Sequence, residues 1–268
     1  LYGVFEQADI ITRALKVWNG GQNPVELEKV LSMSMDIPFG DFDMIYFAGR
    51  HAMERTAERL PVRRAGVHIG SVRGTSSHQY NPAMILCGPN TDEDAGDCYG
   101  FCFVYSGNFT ASAQQDQRNQ TRIQMGIHPD FFSFRLAPGE VFCAPQVILS
   151  YSSRGLTALS RSYHRILREH MCRGPWKHAR RPVLINNWEA TYFDFNREKL
   201  LAIASQAAEL GIEMLVLDDG WFGKRDDDNS GLGDWFVNTE KLGGTLTDLS
   251  EQIHRMGMKF GLWFEPEM

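Results

Sequence analysis

Residues 215–222 read LVLDDGWF and residues 261–268 read GLWFEPEM. Each is an apolar run that stops in carboxylates and aromatic rings. A carboxylate accepts hydrogen bonds from hydroxyl groups, and an indole face covers a C–H surface. Side by side they supply what is needed to hold a sugar. A third run, RRPVLINNWEA at 180–190, ends in the same way at Trp188-Glu189. The leading candidates for ligand contact are therefore Trp188, Asp218, Asp219 and Trp263. Successive side chains of a strand point to opposite faces. For Asp218 and Asp219 both to reach one ligand the chain must bend, and Gly220 is placed to permit that turn. The composition of Asp218-Asp219-Gly220 also fits a plain solvated turn. Tryptophan at three successive run ends favours a ligand site. Both acids are expected to face solvent when the site is empty.

Residues 231–236, GLGDWF, repeat the pairing of acid and indole in a long loop after the second run. Trp221, Asp234 and Trp235 are expected at the rim of the site or on a lid over it. In the same loop, Asp226-Asp227-Asp228-Asn229-Ser230-Gly231 resembles the opening of a calcium loop. Its last ligand position would be Val237, where a bidentate acid is required, so the segment reads as a solvated loop and no metal is expected. His51, His68 and His128 stand isolated in sequence and read as surface or packing residues. The five cysteines, Cys87, Cys98, Cys102, Cys143 and Cys172, form no CxxC pair. An odd count without metal spacing reads as reduced thiols in a cytoplasmic protein.

A repeated pattern positions the three runs. Val183 to Asn187 is a short apolar strand. Asn196 then caps a helix with Leu200, Ile203, Ala204, Ala207 and Ala208 on one face. Gly211 closes it before a strand at 214–218. Leu249, Ile253 and Met256 mark a second helix, closed by Gly257 before a strand at 259–265. Strand–helix–strand units with continuous apolar strands predict a parallel sheet covered by helices. Sites in such sheets form at the carboxyl ends of the strands, where Trp188-Glu189, Asp218 to Trp221 and Trp263 to Glu267 all lie. The sheet is either doubly wound or the start of a (β/α)8 barrel. A complete barrel needs about 250 residues, so the last ~90 residues would hold three βα units.

The preceding chain has another texture. Residues 16–30, KVWNGGQNPVELEKV, read as a hairpin around Asn19-Gly20-Gly21. Segments 101–109 and 141–152 are rich in aromatic and β-branched residues, and Pro138-Gly139 supplies a turn. Many short strands with polar turns predict an antiparallel β-sandwich. Leu156, Leu159, Tyr163, Ile166 and Leu167 then form a helical stripe across 155–171, ended by Gly174-Pro175. The expected organisation is a β-sandwich over 1–154, a helical connector over 155–178 and the parallel unit over 179–268. The chain is 43% hydrophobic and 22% charged, as an ordinary globular protein is, and its net charge of −6 argues against a nucleic-acid partner. No apolar run reaches the ~18 residues of a membrane span. The start at Leu1 and the stop inside an apolar–acidic run read as a piece of a larger protein.

Five segments together carry a family resemblance: SVRGTSSHQYNP (71–82), RRPVLINNWEATYFDFN (180–196), LVLDDGWFG (215–223), GDWFVNTEKL (233–242) and MGMKFGLWFEPEM (256–268). In this order they resemble the α-galactosidases of glycoside hydrolase family 36. The resemblance implies an N-terminal β-supersandwich, incomplete here at its start, followed by a truncated (β/α)8 TIM barrel. It implies retaining hydrolysis of terminal α-galactosides such as melibiose and raffinose, without cofactor. Its sugar-binding positions fall on Trp188, Asp218, Asp219 and Trp263, the two acids on the galactose 4- and 6-hydroxyls. The family's nucleophile, in a Lys-x-Asp motif after the fourth strand, and its acid/base would both fall beyond Met268. The chain by itself is therefore expected to be inactive. Related outcomes left open are a raffinose-synthase-like galactosyltransferase, an α-N-acetylgalactosaminidase, a carbohydrate-binding relative without catalysis, and a homo-oligomeric whole protein.

Overall fold

A computed structural model describes residues 1–266; Glu267, in the last acidic run, lies outside the described residues. Contacts divide the chain into two compact units, residues 1–177 and from His178 onward.

The first unit opens with β1 (Tyr2–Phe5), β2 (Ile10–Arg13), β3 (Lys16–Trp18), β4 (Val25–Leu27) and β5 (Met33–Ile37). It continues through β6 (Asp43–Arg50), β7 (Met53–Pro61), β8 (Val67–Ser71), β9 (Tyr80–Cys87) and β10 (Cys98–Phe103). Then follow β11 (Phe109–Gln115), β12 (Thr121–Ile127), β13 (Phe134–Leu136), β14 (Val141–Cys143), β15 (Val147–Ser152) and helix α1 (Gly155–Ile166). A seven-stranded sheet runs β1-β2-β15-β10-β9-β6-β7 and a four-stranded sheet β5-β12-β11-β8. Met44, Met84, Leu86, Phe101 and Phe103 of the larger sheet share one core with Met33, Ile69, Phe109, Ala111, Ile123 and Met125 of the smaller. Burial alternates along β11 and most of β12, so two pleated faces meet in a sandwich. The outer strand β7, MERTAERLP, is exposed throughout, and its charges guard the sheet edge.

The hairpin expected at 16–30 does not form. β3 pairs with β14 and β4 pairs with β13. Asn19 diverts the chain: its buried Nδ2 donates to Leu136 O at 3.0 Å and to Asn23 O at 2.9 Å, and its Oδ1 accepts from Gly21 N at 3.0 Å. The amide completes a turn of its own, and each run finds a different partner. Residues 141–152 likewise form two strands, because Pro145 cannot donate to a ladder. Helix α1 docks on the seven-stranded sheet. Leu159 and Ile166 are buried, and Tyr163 Oη donates to Ile148 O at 3.0 Å. Gly100 makes room for that ring, since a Cβ there would lie 2.5 Å from it. Past Ile166 the helix widens into a π turn, Leu167–Met171, and Leu167 leaves the buried stripe at 37% exposure.

The second unit is β16 (Leu184–Asn186), α2 (Trp188–Thr191), α3 (Arg197–Glu209), β17 (Met214–Leu217), α4 (Leu246–Arg255) and β18 (Lys259–Leu262). The strands form one parallel sheet in the order β16-β17-β18. The predicted caps are present. Asn196 Oδ1 accepts from Lys199 N at 3.0 Å, and Gly211 and Gly257 take φ of 82° and 81° after the two longer helices. Leu200, Ala204, Ala207, Leu249 and Ile253 pack on Leu215 and Leu217. Glu213 ties the amino ends of the strands together. Its Oε2 accepts from Val183 N at 2.7 Å, its N donates to Val183 O at 2.8 Å, and its O accepts from Lys259 N at 2.8 Å. The Val183 N–H bond to the carboxylate first, and Arg180 second, hold the Glu213 carboxyl below its ordinary pKa.

Candidate functional site

The carboxyl ends of β16, β17 and β18 are joined by a short hydrogen-bond network. Asn186 closes β16 and donates through Nδ2 to Asp218 Oδ2, while its Oδ1 accepts from Trp188 N at 2.7 Å. Trp188 thereby begins α2 at a set distance from Asp218. The next residue, Asn187, is fully buried; its Oδ1 accepts from Asp218 N at 2.8 Å and its Nδ2 donates to Thr191 Oγ1 at 2.9 Å. Trp263 N donates to Leu217 O at 2.9 Å, and Trp221 Nε1 donates to Trp263 O at 3.0 Å. Trp188, Asp218 and Trp263 are half-buried, each with part of its surface open.

The acidic pair splits. Asp219 N donates to Asp218 Oδ1 at 2.7 Å, and from there the two side chains diverge. Asp219 does not face solvent as expected; it is 6% exposed and sits on Arg225, itself 5% exposed. Arg225 Nη2 lies 2.8 Å from Asp219 Oδ2 and Nε lies 3.0 Å from Oδ1. Arg225 Nη1 also donates to Ser230 O at 2.9 Å, and its guanidinium lies over the Phe193 ring at 5.6 Å. The carboxylate raises the Arg225 pKa further above its ordinary value, chiefly through the hydrogen bond. The turn depends on Gly220, whose φ is +92°; a Cβ there would meet Phe193 Cδ1 at 2.9 Å and Arg225 O at 3.1 Å.

Trp221, expected on the rim, is instead a core residue at 2% exposure. Its neighbour Phe222 pairs through an isolated bridge with Val237, which pulls both rings inward. Trp235 is half-buried, with its ring centroid 6.3 Å from that of Trp263 and 4.4 Å from that of Phe222. Asp234 is exposed. The acidic loop is organised by two cations. Asp226 pairs with Lys241 at 3.0 Å, and Asp228 approaches Arg225 at 3.7 Å. Lys241 also lies 4.4 Å from the centre of the Phe195 ring. Among the described residues no group of three or more His, Cys, Asp or Glu is placed to hold a metal ion.

Sequence reading missed Asn186, Asn187, Arg225 and Lys241. Asn186 and Asn187 stand directly before Trp188, and two amides at a strand end are a readable sign of a polar network. Arg225 gives less away, because a basic residue beside three aspartates reads as ordinary surface. His68 and His128, isolated in sequence, are neighbours in the first unit with ring centroids 6.4 Å apart. Burial first, and His128 second, lower the pKa of His68. The site as a whole offers open acceptors and indole faces, which suit the binding and orientation of a polyhydroxylated ring.

Comparison with known proteins finds similarity across both units. Residues 141–268 match the Melibiase family model, and residues 1–137 match the glycosyl hydrolase family 36 N-terminal domain. The chain is 54% identical over 268 residues to the bifunctional alpha-galactosidase/sucrose kinase AgaSK of Mediterraneibacter gnavus, covering 100% of this chain and 29% of that protein. It is 49% identical over 267 residues to alpha-galactosidase AgaA of Geobacillus stearothermophilus, covering 100% of this chain and 37% of that one. A crystal structure of a variant of AgaA in complex with raffinose superposes with a TM-score of 0.95 at 48% identity, over 99% of this chain and 37% of that chain. The chain thus spans about a third of the length of the curated relatives it matches. With its N-terminal half matched by that domain model, the chain belongs to glycosyl hydrolase family 36.

Proposed function

We propose that the whole protein is an α-galactosidase and that this chain carries part of its galactose subsite. The observation that supports this most is the open Asp218 carboxylate between Trp188 and Trp263, at the carboxyl ends of three adjacent parallel strands. In this reading the second unit opens a (β/α)8 barrel, whose sites gather at that end of the strands. Asp218 accepts a charge-assisted hydrogen bond from a sugar hydroxyl. Trp188 and Trp263 cover the ring's C–H faces. Asp219 contributes a second acceptor from behind, oriented by Arg225. A carboxylate has about four lone-pair sites; Arg225 Nε to Oδ1 at 3.0 Å and to Oδ2 at 3.1 Å, with Nη2 to Oδ2 at 2.8 Å, fill three and leave one for a hydroxyl. Asp234 and Trp235 edge the site. The two carboxylates that break the bond, about 5 Å apart in a retaining enzyme, are not assigned to any of these residues. The substrates are α-galactosides of the raffinose type, the sugar bound in the AgaA complex.

The test is release of nitrophenol from nitrophenyl α-galactoside by the purified whole protein, beside the matching α-glucoside and α-N-acetylgalactosaminide. Turnover of the galactoside with little of the other two is expected. Exclusive turnover of the N-acetylgalactosaminide, or none of any, would overturn the reading.

A further inference from the structure

Residues 154–181 hold eight of the 27 lysines and arginines of the chain and a single acid, Glu169, although the chain as a whole carries −6. Arg154, Ala158, Arg161, His164, Arg165 and Arg168 line one groove of about 430 Å³ on the outer face of α1. The arginines and Ala158 recur at spacings of four and three residues. Within α1, 3.6 residues per turn sets Ala158, Arg161 and Arg165 on one stripe; Arg154 stands just before the helix and Arg168 in the π turn after it, and both line the same groove. All four arginines are exposed. Among the described residues, Arg165 alone of the four has a carboxylate within reach, Asp9 at 3.6 Å, and that pair is largely open to water.

The buried face of α1 is explained by Leu159, Ile166 and Tyr163 against the sheet. The outer face is not. Like charges one helical turn apart repel and weaken the helix that carries them. The chain has 33 acids, yet among the described residues Asp9 alone pairs with these arginines. Such a stripe lowers its energy when a complementary row of anions lies on it. Guanidinium forks match carboxylates in bidentate geometry. The small Ala158 leaves a dent between Arg154 and Arg161 that can receive a side chain.

We infer that the outer face of α1 is a docking surface for an acidic polypeptide segment, one carrying carboxylates about one helical turn apart. The charges are strung over roughly 20 Å of helix rather than gathered at one point, which favours an extended partner over a single phosphate. The negative balance of the chain disfavours nucleic acid.

The experiment measures, by fluorescence anisotropy, the binding of a labelled helical peptide with glutamates at alternate spacings of four and three to the whole protein. Binding should weaken by about tenfold or more between roughly 50 mM and 500 mM NaCl, as screening shortens the reach of exposed charges. At low salt the double variant Arg161→Glu/Arg165→Glu should bind about tenfold more weakly or worse. Arg118→Glu, on the turn after β11, should bind as the unmodified protein does. Should the reversal variant fail to fold, Arg161→Gln/Arg165→Gln removes the charges alone and is expected to lose several-fold. Equal binding by the unmodified protein and the folded double variant overturns the inference. So does tighter binding of inorganic pyrophosphate, or of a short DNA duplex, that disappears in the same variant.

Discussion

The Asp219 carboxylate lies across the Arg225 fork, with Nη2 2.8 Å from Oδ2 and Nε 3.0 Å from Oδ1. Both side chains are more than nine-tenths buried. Asp218, one residue earlier, meets Asn186 at the open end of the sheet. Two identical side chains in sequence thus serve different ends. One stands open to a ligand, and the other, turned inward onto Arg225, also anchors the loop that follows the second strand.

This division predicts two different phenotypes in the whole protein. Asp218→Asn should lower kcat/KM on α-galactosides by roughly tenfold to a few hundredfold, the value of a charge-assisted hydrogen bond. Its unfolding transition should barely move. Asp219→Asn should lower activity and also cost about 1–3 kcal/mol of stability, because it leaves the buried Arg225 without an anion. Thermal melts and steady-state kinetics on both variants check this. Equal melting temperatures for the two would refute the division.

Arg225→Met removes one partner of a buried pair and should destabilise the whole protein by about 3–5 kcal/mol in urea titration. Adding Asp219→Leu to that variant removes the stranded charge and should restore part of the loss. A double variant no more stable than Arg225→Met alone would show that packing, not charge pairing, holds the loop.

Gly220→Ala tests the turn itself. Its φ of +92° and the 2.9 Å approach of Phe193 leave no room for a methyl group. A loss of at least about 1–2 kcal/mol and a fall in kcat/KM are expected. Gly139, with φ of +81° and nothing within 4 Å of a built Cβ, is the control. Gly139→Ala should cost less and leave activity intact.

Helix α4 begins with a capping box in which Thr245 and Asp248 satisfy each other's backbone groups. The Thr245 side chain and backbone hydrogen bonds hold the Asp248 pKa below its ordinary value of 3.8. A depressed carboxylate pKa stabilises the fold above the unfolded value and loses that contribution as pH falls through the folded one. Amide exchange in α4 should therefore accelerate as pH drops below 3.8, once the intrinsic pH dependence of exchange is divided out. Asp248→Asn should flatten that dependence; an unchanged profile would remove the box from the account.

The parallel unit was legible in the sequence because its signals are local. Asn196, Gly211 and Gly257 mark helix ends through their own backbone preferences, and the apolar runs at 183–187 and 214–218, spaced by a helix, read as parallel strands. The same holds for the presence of Trp188, Asp218 and Trp263 at strand ends, since a strand's carboxyl end is set by where its run stops. Partner choice was not legible. The runs at 16–18 and 25–27 look like a hairpin, and only Asn19 reaching Leu136, more than a hundred residues later in the chain, sends them to different strands. Side-chain direction at the acidic pair was hidden for a like reason. Alternation along a strand says that Asp218 and Asp219 diverge, but not which of them turns inward. Arg225 decides that, because a buried carboxylate is stable only where a cation meets it. Trp221 went inward by the same logic, once Trp263 O offered its indole N–H a buried acceptor at 3.0 Å. Local chemistry wrote the elements and their caps into the sequence; contacts between residues distant along the chain chose the strand partners, and the buried Asp219–Arg225 pair chose the face of the site.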